Sequence, residues 1–285
     1  MANNKTRWTF ATGPLHLGED ADHLRTELAH RLGQALGSEW EVVSESSYQS
    51  LLERVVRRKA ALAWLPPATF VRAFDQGAIA KVFSAERMHA PRYRGALFVR
   101  RASQLDGLEA LKGKRVAWVD PDSCAGHLFP KLELLEKGLE PDALFLSQAF
   151  LGAHMRVVRA VRDGEVDVGA TFVHLAKEVD GAVETKAKAV DLLLVGWSPF
   201  VPRDEMHPIL ITRPIPADAL CTVCGLPQEL EEKLSALLLN LSSSPRLLHL
   251  FRSLLNADRF VSCQPAHYDD VRRAIARIGK GDQGG

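Results

Sequence analysis

The residues best suited to do chemistry lie in one stretch of the chain, directly after a short apolar run. Residues 115–119 (RVAWV) predict a strand, and the turn after it ends in Asp122 and Ser123, either of which can cap a helix. Unpaired N–H groups and the helix dipole both favour negative charge at such a helix N-terminus. The stretch therefore predicts an anion-binding site, although a helix cap without a ligand would need the same residues. The outward-pointing amides would be those of Cys124, Ala125 and Gly126.

Cys124 supports a second chemical interpretation of the same turn. A helix N-terminus favours the thiolate, and His127 or His154 nearby would complete a nucleophile and its base. A cysteine that only fills the volume of a threonine is the simpler explanation. Cys221 and Cys224 form an isolated CxxC pair before a leucine-rich segment, where small thiols pack well, which favours packing over zinc or redox chemistry.

Short apolar runs alternate with longer segments of helical periodicity, which is typical of an α/β protein. The predicted strands are residues 8–12, 41–43, 61–65, 78–83, 96–99, 115–119, 144–150, 166–172, 192–195 and 209–211. The predicted helices are residues 22–36, 48–58, 68–75, 125–137, 154–162, 228–241, 245–255 and 268–278. Ligands of open α/β sheets bind at the carboxyl ends of strands, where Thr12, Pro66, Ser123 and Thr171 are expected.

Composition excludes several classes of protein. The 285 residues include 36 Lys+Arg and 35 Asp+Glu, which gives a net charge of +1. We therefore expect no nucleic-acid partner and no polybasic surface that would bind a membrane. No run approaches the roughly 20 apolar residues of a membrane-spanning helix, so membrane insertion is not expected. Residues 1–7 contain no apolar leader, so we expect a cytoplasmic protein, or a periplasmic one if a leader has been removed.

Five motifs resemble those of a known family and follow in the same order. Residues 111–130, LKGKRVAWVDPDSCAGHLFP, are similar to the family pattern L-K-G-K-x-V-A-F-V-D-P-x-S-T-S-G-x-x-x-P. The other four are YQSLLERVVRRKAALAWLPPATFV (48–71), YRGALFVRRAS (93–103), GAHMRVVRAVRDGEVDVGATF (152–172) and WSPFVPRDEMHPI (197–209). The chain thus resembles the phosphate, phosphite and phosphonate solute-binding proteins of ABC importers.

The resemblance implies the type II periplasmic-binding architecture, in which two α/β lobes joined by two hinge-strand crossovers close on a ligand. Carried onto this chain, residues 1–97 and 199–285 would form lobe one, and residues 98–198 would form lobe two. The hinges are expected near Ala96–Val99 and Val195–Pro199.

The resemblance also implies which residues contact the ligand. Two tyrosines would contact the anion or its substituent, a Ser-Thr-Ser-Gly segment would form the anion cradle, and three further polar side chains would complete the site. In this chain the positions are Tyr48, Tyr93, Ser123, Cys124, Ala125, Gly126, His154, Thr171 and Asp204.

Two cradle positions depart from the family pattern. Cys124 and Ala125 replace two hydroxyl donors by a weak thiol donor and a methyl group. At roughly 0.5–1.5 kcal/mol for each neutral hydrogen bond, their loss would weaken phosphate or phosphonate binding about ten- to a hundredfold. We therefore expect an inherited anion site whose specificity has drifted towards a larger or less charged ligand.

The function implied by the resemblance is solute binding without a catalytic step, a cofactor or a metal ion. The expected partners are a small anion, such as a phosphonate or phosphate, and the permease of an ABC importer. Two alternatives stay open: a cytoplasmic enzyme on the same fold, similar to relatives in menaquinone biosynthesis, and a cytosolic ligand-sensing module.

Overall fold

The computed structural model describes residues 7–14, 21–87, 92–177, 179–185 and 190–279. The strands are β1 (Arg7–Thr12), β2 (Glu39–Ser44), β3 (Leu62–Leu65), β4 (Ile79–Glu86), β5 (Arg92–Arg100), β6 (Arg115–Trp118), β7 (Ser147–Phe150), β8 (Val168–Leu175), β9 (Val183–Glu184), β10 (Leu192–Val195), β11 (Met206–Ile211), β12 (Ile215–Pro216), β13 (Ala219–Val223) and β14 (Arg259–Ser262). The helices are α1 (Ala21–Leu36), α2 (Tyr48–Val56), α3 (Pro67–Asp75), α4 (Phe129–Glu136), α5 (Pro141–Leu144), α6 (His154–Asp163), α7 (Gln228–Leu239), α8 (Pro245–Leu255) and α9 (Asp269–Gly279). Within these ranges, no helix combines the length and the apolar character needed to cross a membrane.

The α/β class is confirmed, and local signals account for several element boundaries. Ser47 caps α2 through a capping box, since its Oγ accepts from Ser50 N at 3.0 Å and Ser50 Oγ accepts from Ser47 N at 3.2 Å. α3 starts at Pro67, because the first position of a helix does not need an N–H. The strand predicted over 144–150 is too long: Pro141 starts the helical turn α5, and β7 begins only at Ser147.

The fold has the two-lobe architecture of type II periplasmic binding proteins. Its two compact units are unit 1, Met1–Pro91 with Pro216–Asp269, and unit 2, Arg92–Ile215 with Asp270–Gly285. Each unit is built around its own β-sheet.

Unit 1 contains a sheet with the strand order β14-β4-β13-β3-β1-β2. β1 runs parallel to β2 and β3, whereas β13 runs antiparallel to both β3 and β4. One face of the sheet packs against α1, α7 and α8 in a core that includes Phe10, Trp64 and Phe251. Leu65 and Ser84 belong to the opposite face, because side chains alternate along a strand.

Unit 2 contains a sheet with the strand order β7-β6-β8-β5-β11-β9, to which β10 adds beside β8 and β12 beside β5. β6 is parallel to β8, and β8 is antiparallel to β5. The ends of β6 and β8 and the start of β5 therefore share one edge of the sheet, which we call the carboxyl edge of unit 2. Two apolar cores pack against this sheet. One includes Val157 of α6, and the other includes Leu134 of α4.

The unit boundaries differ from the predicted lobes, 1–97 with 199–285 and 98–198. The chain passes between units at 91/92, 215/216 and 269/270. Residues 199–215 remain in unit 2 because β11 pairs with β5 along its length. The predicted hinge segments, Ala96–Val99 and Val195–Pro199, also lie inside unit 2: the first pairs with β8, and Val195 pairs with Val173.

Candidate functional site

The predicted anion-binding turn follows β6 in unit 2. Ser123 precedes a π-helical turn, Cys124–Leu128, which continues directly into α4. Ser123 Oγ accepts a hydrogen bond from Gly126 N at 3.0 Å. The turn's first backbone bond runs from Leu128 N to Ser123 O at 2.9 Å. The amides of Cys124 and Ala125, which the sequence predicts as anion donors, therefore lie at the start of the turn.

Glycines let the turn pack tightly against the sheet. A Cβ atom on Gly126 would lie 2.3 Å from Val119 Cγ2 and 2.8 Å from Ser123 Oγ. A Cβ atom on Gly95 of β5 would lie 2.8 Å from the Ala125 carbonyl oxygen. Ser123 and Ala125 are themselves buried. The position of the turn is therefore fixed by backbone contacts that only glycine permits.

Asp120 places a carboxyl group at the start of the turn. Its Oδ1 accepts from Asp122 N at 2.9 Å, and its carbonyl oxygen accepts from Ser123 N at 3.0 Å. Burial raises the pKa of the Asp120 carboxyl above its ordinary value, and the hydrogen bond from Asp122 partly opposes that rise. Ionised Asp120 would repel an anion at this turn, and a raised pKa makes the neutral carboxyl easier to form.

Tyr93 lies at the carboxyl edge of unit 2, at the start of β5. Its ring centroid is 6.4 Å from that of His174 on β8, and His174 is 6.4 Å from Phe172. Gly95 pairs with Phe172, so alternation places all four residues on one face of the sheet. Since the Ala125 carbonyl packs against this face at Gly95, the aromatic side chains border the turn.

His154 is the first residue of α6, and its Nδ1 lies 3.0 Å from Thr171 Oγ1. Its ring meets Phe172 edge-on at a centroid distance of 5.4 Å. Thr171 is fully buried within β8, opposite Ala96, rather than at the strand end where it was expected. Its hydroxyl therefore positions the imidazole of His154.

The histidines near Cys124 each have a structural contact of their own. His127 Nδ1 donates to the Pro121 carbonyl oxygen at 2.9 Å, and its ring lies edge-on to Trp118 and Phe150. His154 is held by Thr171 through the same ring nitrogen. These contacts give both imidazoles a positioning role in the fold.

Tyr48 belongs to unit 1, where it is the first residue of α2. A Cβ atom on Gly13 would lie 3.1 Å from Cδ1 and Cε1 of the Tyr48 ring. The Gly13 carbonyl oxygen accepts from Ser44 Oγ at 2.9 Å and from Thr12 Oγ1 at 3.1 Å. Tyr48 therefore lies where β1 and β2 end, the position expected for a ligand contact.

Comparison with known proteins identifies the family. Residues 14–268 match the family model of the phosphonate substrate-binding protein of ABC transporters, a periplasmic protein. The chain belongs to this family. Phosphate-import protein PhnD of Mycolicibacterium smegmatis is 29% identical over 174 residues, which cover 58% of this chain and 54% of that protein. The match thus spans about half the length of this curated member of the phosphonate-binding family.

Two solved structures share the fold over nearly the whole chain. PhnD1 from Prochlorococcus marinus, in complex with methylphosphonate, has a TM-score of 0.73 at 18% identity and covers 96% of this chain and 98% of its own. The binding protein component of an ABC phosphonate transporter from Pseudomonas aeruginosa has a TM-score of 0.75 at 16% identity, and the match covers 95% of this chain and 86% of that one. Solute binding for transport is the function of the phosphonate-binding family, which supports the binding interpretation over the enzyme alternative.

One position inferred from the phosphonate-binding family lies apart from the turn. Asp204 is exposed, and its carbonyl oxygen accepts from Arg101 Nε at 2.9 Å. It precedes β11, whose first residue, Met206, pairs with Arg100. Five strand positions, about 17 Å, separate Arg100 from Gly95, against which the turn packs. A small ligand on the turn therefore does not reach Asp204.

Asp204 instead borders a cavity of about 560 Å³ together with Trp197 and His207. His207 Nε2 donates to the Leu105 carbonyl oxygen at 3.1 Å. Burial lowers the pKa of His207 below its ordinary value, so the neutral ring predominates at pH 7. This cavity lies at the edge of unit 2 opposite the turn.

Sequence reasoning missed three buried or aromatic-facing residues in this part of unit 2. The family motif stopped at Phe172, but the period of two along a strand would have placed His174 on the same face. Asp120 was visible beside the predicted cap, although its burial was not. Arg94 had no sequence signal: it is buried and donates to the carbonyl oxygens of Gly181 and Thr212 at 2.7 and 2.8 Å.

Proposed function

We propose that this protein binds a small phosphorus oxyanion, a phosphonate or phosphate, and delivers it to the permease of an ABC importer. The turn after Ser123 carries the proposal, because it presents buried backbone donors at the start of a helix, at the carboxyl edge of unit 2 where Tyr93 and His154 also lie. The names of the relatives agree with it: one is a phosphate-import protein, and another is solved with methylphosphonate.

Each residue of the site has a distinct role in this proposal. The amides of Cys124 and Ala125 donate to the oxyanion oxygens, where the helix dipole adds to the attraction. Ser123 Oγ accepts from Gly126 and donates its own proton to the ligand. His154, oriented by Thr171, supplies a further hydrogen bond, and the Tyr93 ring contacts the substituent on phosphorus.

The changed cradle sets the ligand preference. Cys124 and Ala125 keep their backbone donors but lack the two hydroxyls of the family pattern. An anion with fewer oxygens needs fewer hydrogen bonds, so it loses less binding free energy from this change. We therefore propose that phosphonates, which have three oxygens on phosphorus, bind in preference to phosphate.

A thermal-shift panel tests the ligand class. Phosphate, phosphite, methylphosphonate and 2-aminoethylphosphonate are compared with sulfate and small carboxylates at millimolar concentration. A true ligand at a hundred times its Kd stabilises the folded protein by about 2.7 kcal/mol, which raises Tm by several degrees. The proposal fails if no phosphorus oxyanion raises Tm.

Substitution of Cys124 tests the cradle. Cys124→Ser restores one hydroxyl, and we expect methylphosphonate to bind about three- to tenfold more tightly by calorimetry. Cys263→Ser, in unit 1, is the matched control and should leave the affinity unchanged. Equal affinities for wild type and Cys124→Ser would show that the ligand does not contact this side chain.

A further inference from the structure

The first turn of α3 in unit 1 contains buried donors for which the described residues provide no acceptor. Pro66 is the N-cap residue and forms no side-chain cap hydrogen bond, and neither Pro66 nor Pro67 has an N–H. The first hydrogen bond of the helix runs from Phe70 N to Pro66 O at 2.9 Å. The amides of Ala68 and Thr69 therefore precede the helical ladder, and both residues are buried, with exposures of 0% and 1%.

Thr69 adds an independent observation at the same place. Among the residues that the structure describes, its buried Oγ1 has no hydrogen-bond partner. A threonine within a helix commonly bonds back to the carbonyl three or four residues earlier, and Thr69 does not. A buried hydroxyl left unpaired is costly, as are unpaired buried amides, so this turn calls for an acceptor atom that the described part of the chain does not supply.

The position of this turn in unit 1 matches that of a ligand site. β3 ends at Leu65, directly before Pro66, and Thr12 at the end of the neighbouring β1 pairs with Trp64. A Cβ atom on the next residue, Gly13, would lie 3.1 Å from the ring of Tyr48. The first turn of α3 and Tyr48 thus lie at the same edge of the unit 1 sheet, at the carboxyl ends of parallel strands.

We propose that the first turn of α3 is an oxyanion-binding donor set of unit 1, in which Thr69 Oγ1 and the amides of Ala68 and Thr69 bind an oxygen of a small oxyanion. This inference rests on the proposed function, since it takes the ligand to be an oxyanion. Three donors converge on one turn with the positive end of a nine-residue helix behind them. An anionic oxygen satisfies all of these groups.

Thr69→Val tests the proposal, because it removes the hydroxyl and keeps the side-chain shape. We expect methylphosphonate affinity, measured by calorimetry, to fall about ten- to a hundredfold, the usual effect of losing a hydrogen bond to a charged acceptor. Tm without ligand should stay the same or rise, because an unpaired buried hydroxyl is lost. Thr69→Ser keeps the hydroxyl and should retain affinity within about threefold.

Ser84→Ala is the matched control. Ser84 is equally buried and also has a hydroxyl side chain, but it lies two strands away from Leu65, across β13. We expect its removal to leave the affinity unchanged. If Ser84→Ala and Thr69→Val lower the affinity equally, the effect is one of packing and the proposal is wrong.

Amide chemical shifts provide a readout that does not depend on any variant. In ¹⁵N-labelled wild-type protein titrated with methylphosphonate, the Thr69 and Ala68 amides should shift downfield at saturation. Unchanged shifts, or wild-type affinity in Thr69→Val, would overturn the inference while the proposed function stands. If wild-type protein binds no phosphorus oxyanion, the proposed function fails and the inference fails with it.

Discussion

Gly126→Ala is the most direct perturbation of the anion-binding turn. The added methyl would lie 2.3 Å from Val119 Cγ2, whereas apolar carbons pack at about 3.5–4.0 Å. Val119 is 2% exposed and cannot swing into solvent. Overpacking of this kind costs about 1–3 kcal/mol, and displacing the Ser123 cap adds about 1 kcal/mol. Alanine regains about 0.5–1 kcal/mol of helix preference over glycine. We therefore expect a net loss of about 1–3.5 kcal/mol in the free energy of unfolding.

Urea unfolding monitored by circular dichroism measures this loss. Gly279→Ala is the matched control, because no atom lies within 4 Å of its added methyl, so it isolates the intrinsic preference of a helix for alanine. Val119→Ala in the Gly126→Ala background removes the clash, and the double variant should be less destabilised than the sum of the single variants. Additive free energies, or a Gly126→Ala variant within about 0.5 kcal/mol of wild type, would refute this account of the turn.

Two further predictions concern charge. Asp120→Asn keeps the acceptor for Asp122 N–H but removes a negative charge, so we expect methylphosphonate to bind about three- to tenfold more tightly at pH 8. Because burial raises the pKa of Asp120, the wild-type carboxyl should become protonated as pH falls towards 4, and the difference in affinity between the two proteins should shrink. Equal affinities at pH 8, measured by calorimetry, would contradict this prediction. Arg213→Ala leaves the carboxylate of Glu133, 4% exposed and 2.7 Å from Arg213 Nε, buried without that partner. Urea unfolding should show that the free energy of unfolding falls by about 3 kcal/mol, at the low end for a buried pair because Arg213 is partly exposed. A fall of less than about 1 kcal/mol would contradict this prediction.

The elements that local sequence controls were predicted well. The Ser47 cap, the start of α3 at Pro67 and the turn after Ser123 all depend on residues within three or four positions of one another. Hydroxyl caps and proline act on neighbouring backbone groups, so their effect is visible without knowledge of the fold. The order of the family motifs extended this local information to the two-lobe architecture.

β13 shows where local information failed. Its residues, Ala219–Val223, include Cys221 and were interpreted only as a small-residue segment before a helix, yet the strand lies in the middle of the unit 1 sheet, between β3 and β4. All five residues are buried, so the strand lacks the alternation of apolar and polar residues that marks a half-exposed strand. Burial also raises the pKa of the Cys221 thiol, which suits packing rather than reactivity.

The sequence by itself determined the family, the α/β class and the Ser123-capped turn, because these follow from motif order and short-range contacts. The tertiary structure alone decided which other residues join that turn. Pairing of β5 with β8 brings Tyr93 beside His174, about 80 positions later, and pairing of β5 with β11 moves Asp204 to the opposite edge of the sheet. Such pairings join segments that are far apart in the chain, and the residue pattern within one strand does not identify which strand it pairs with.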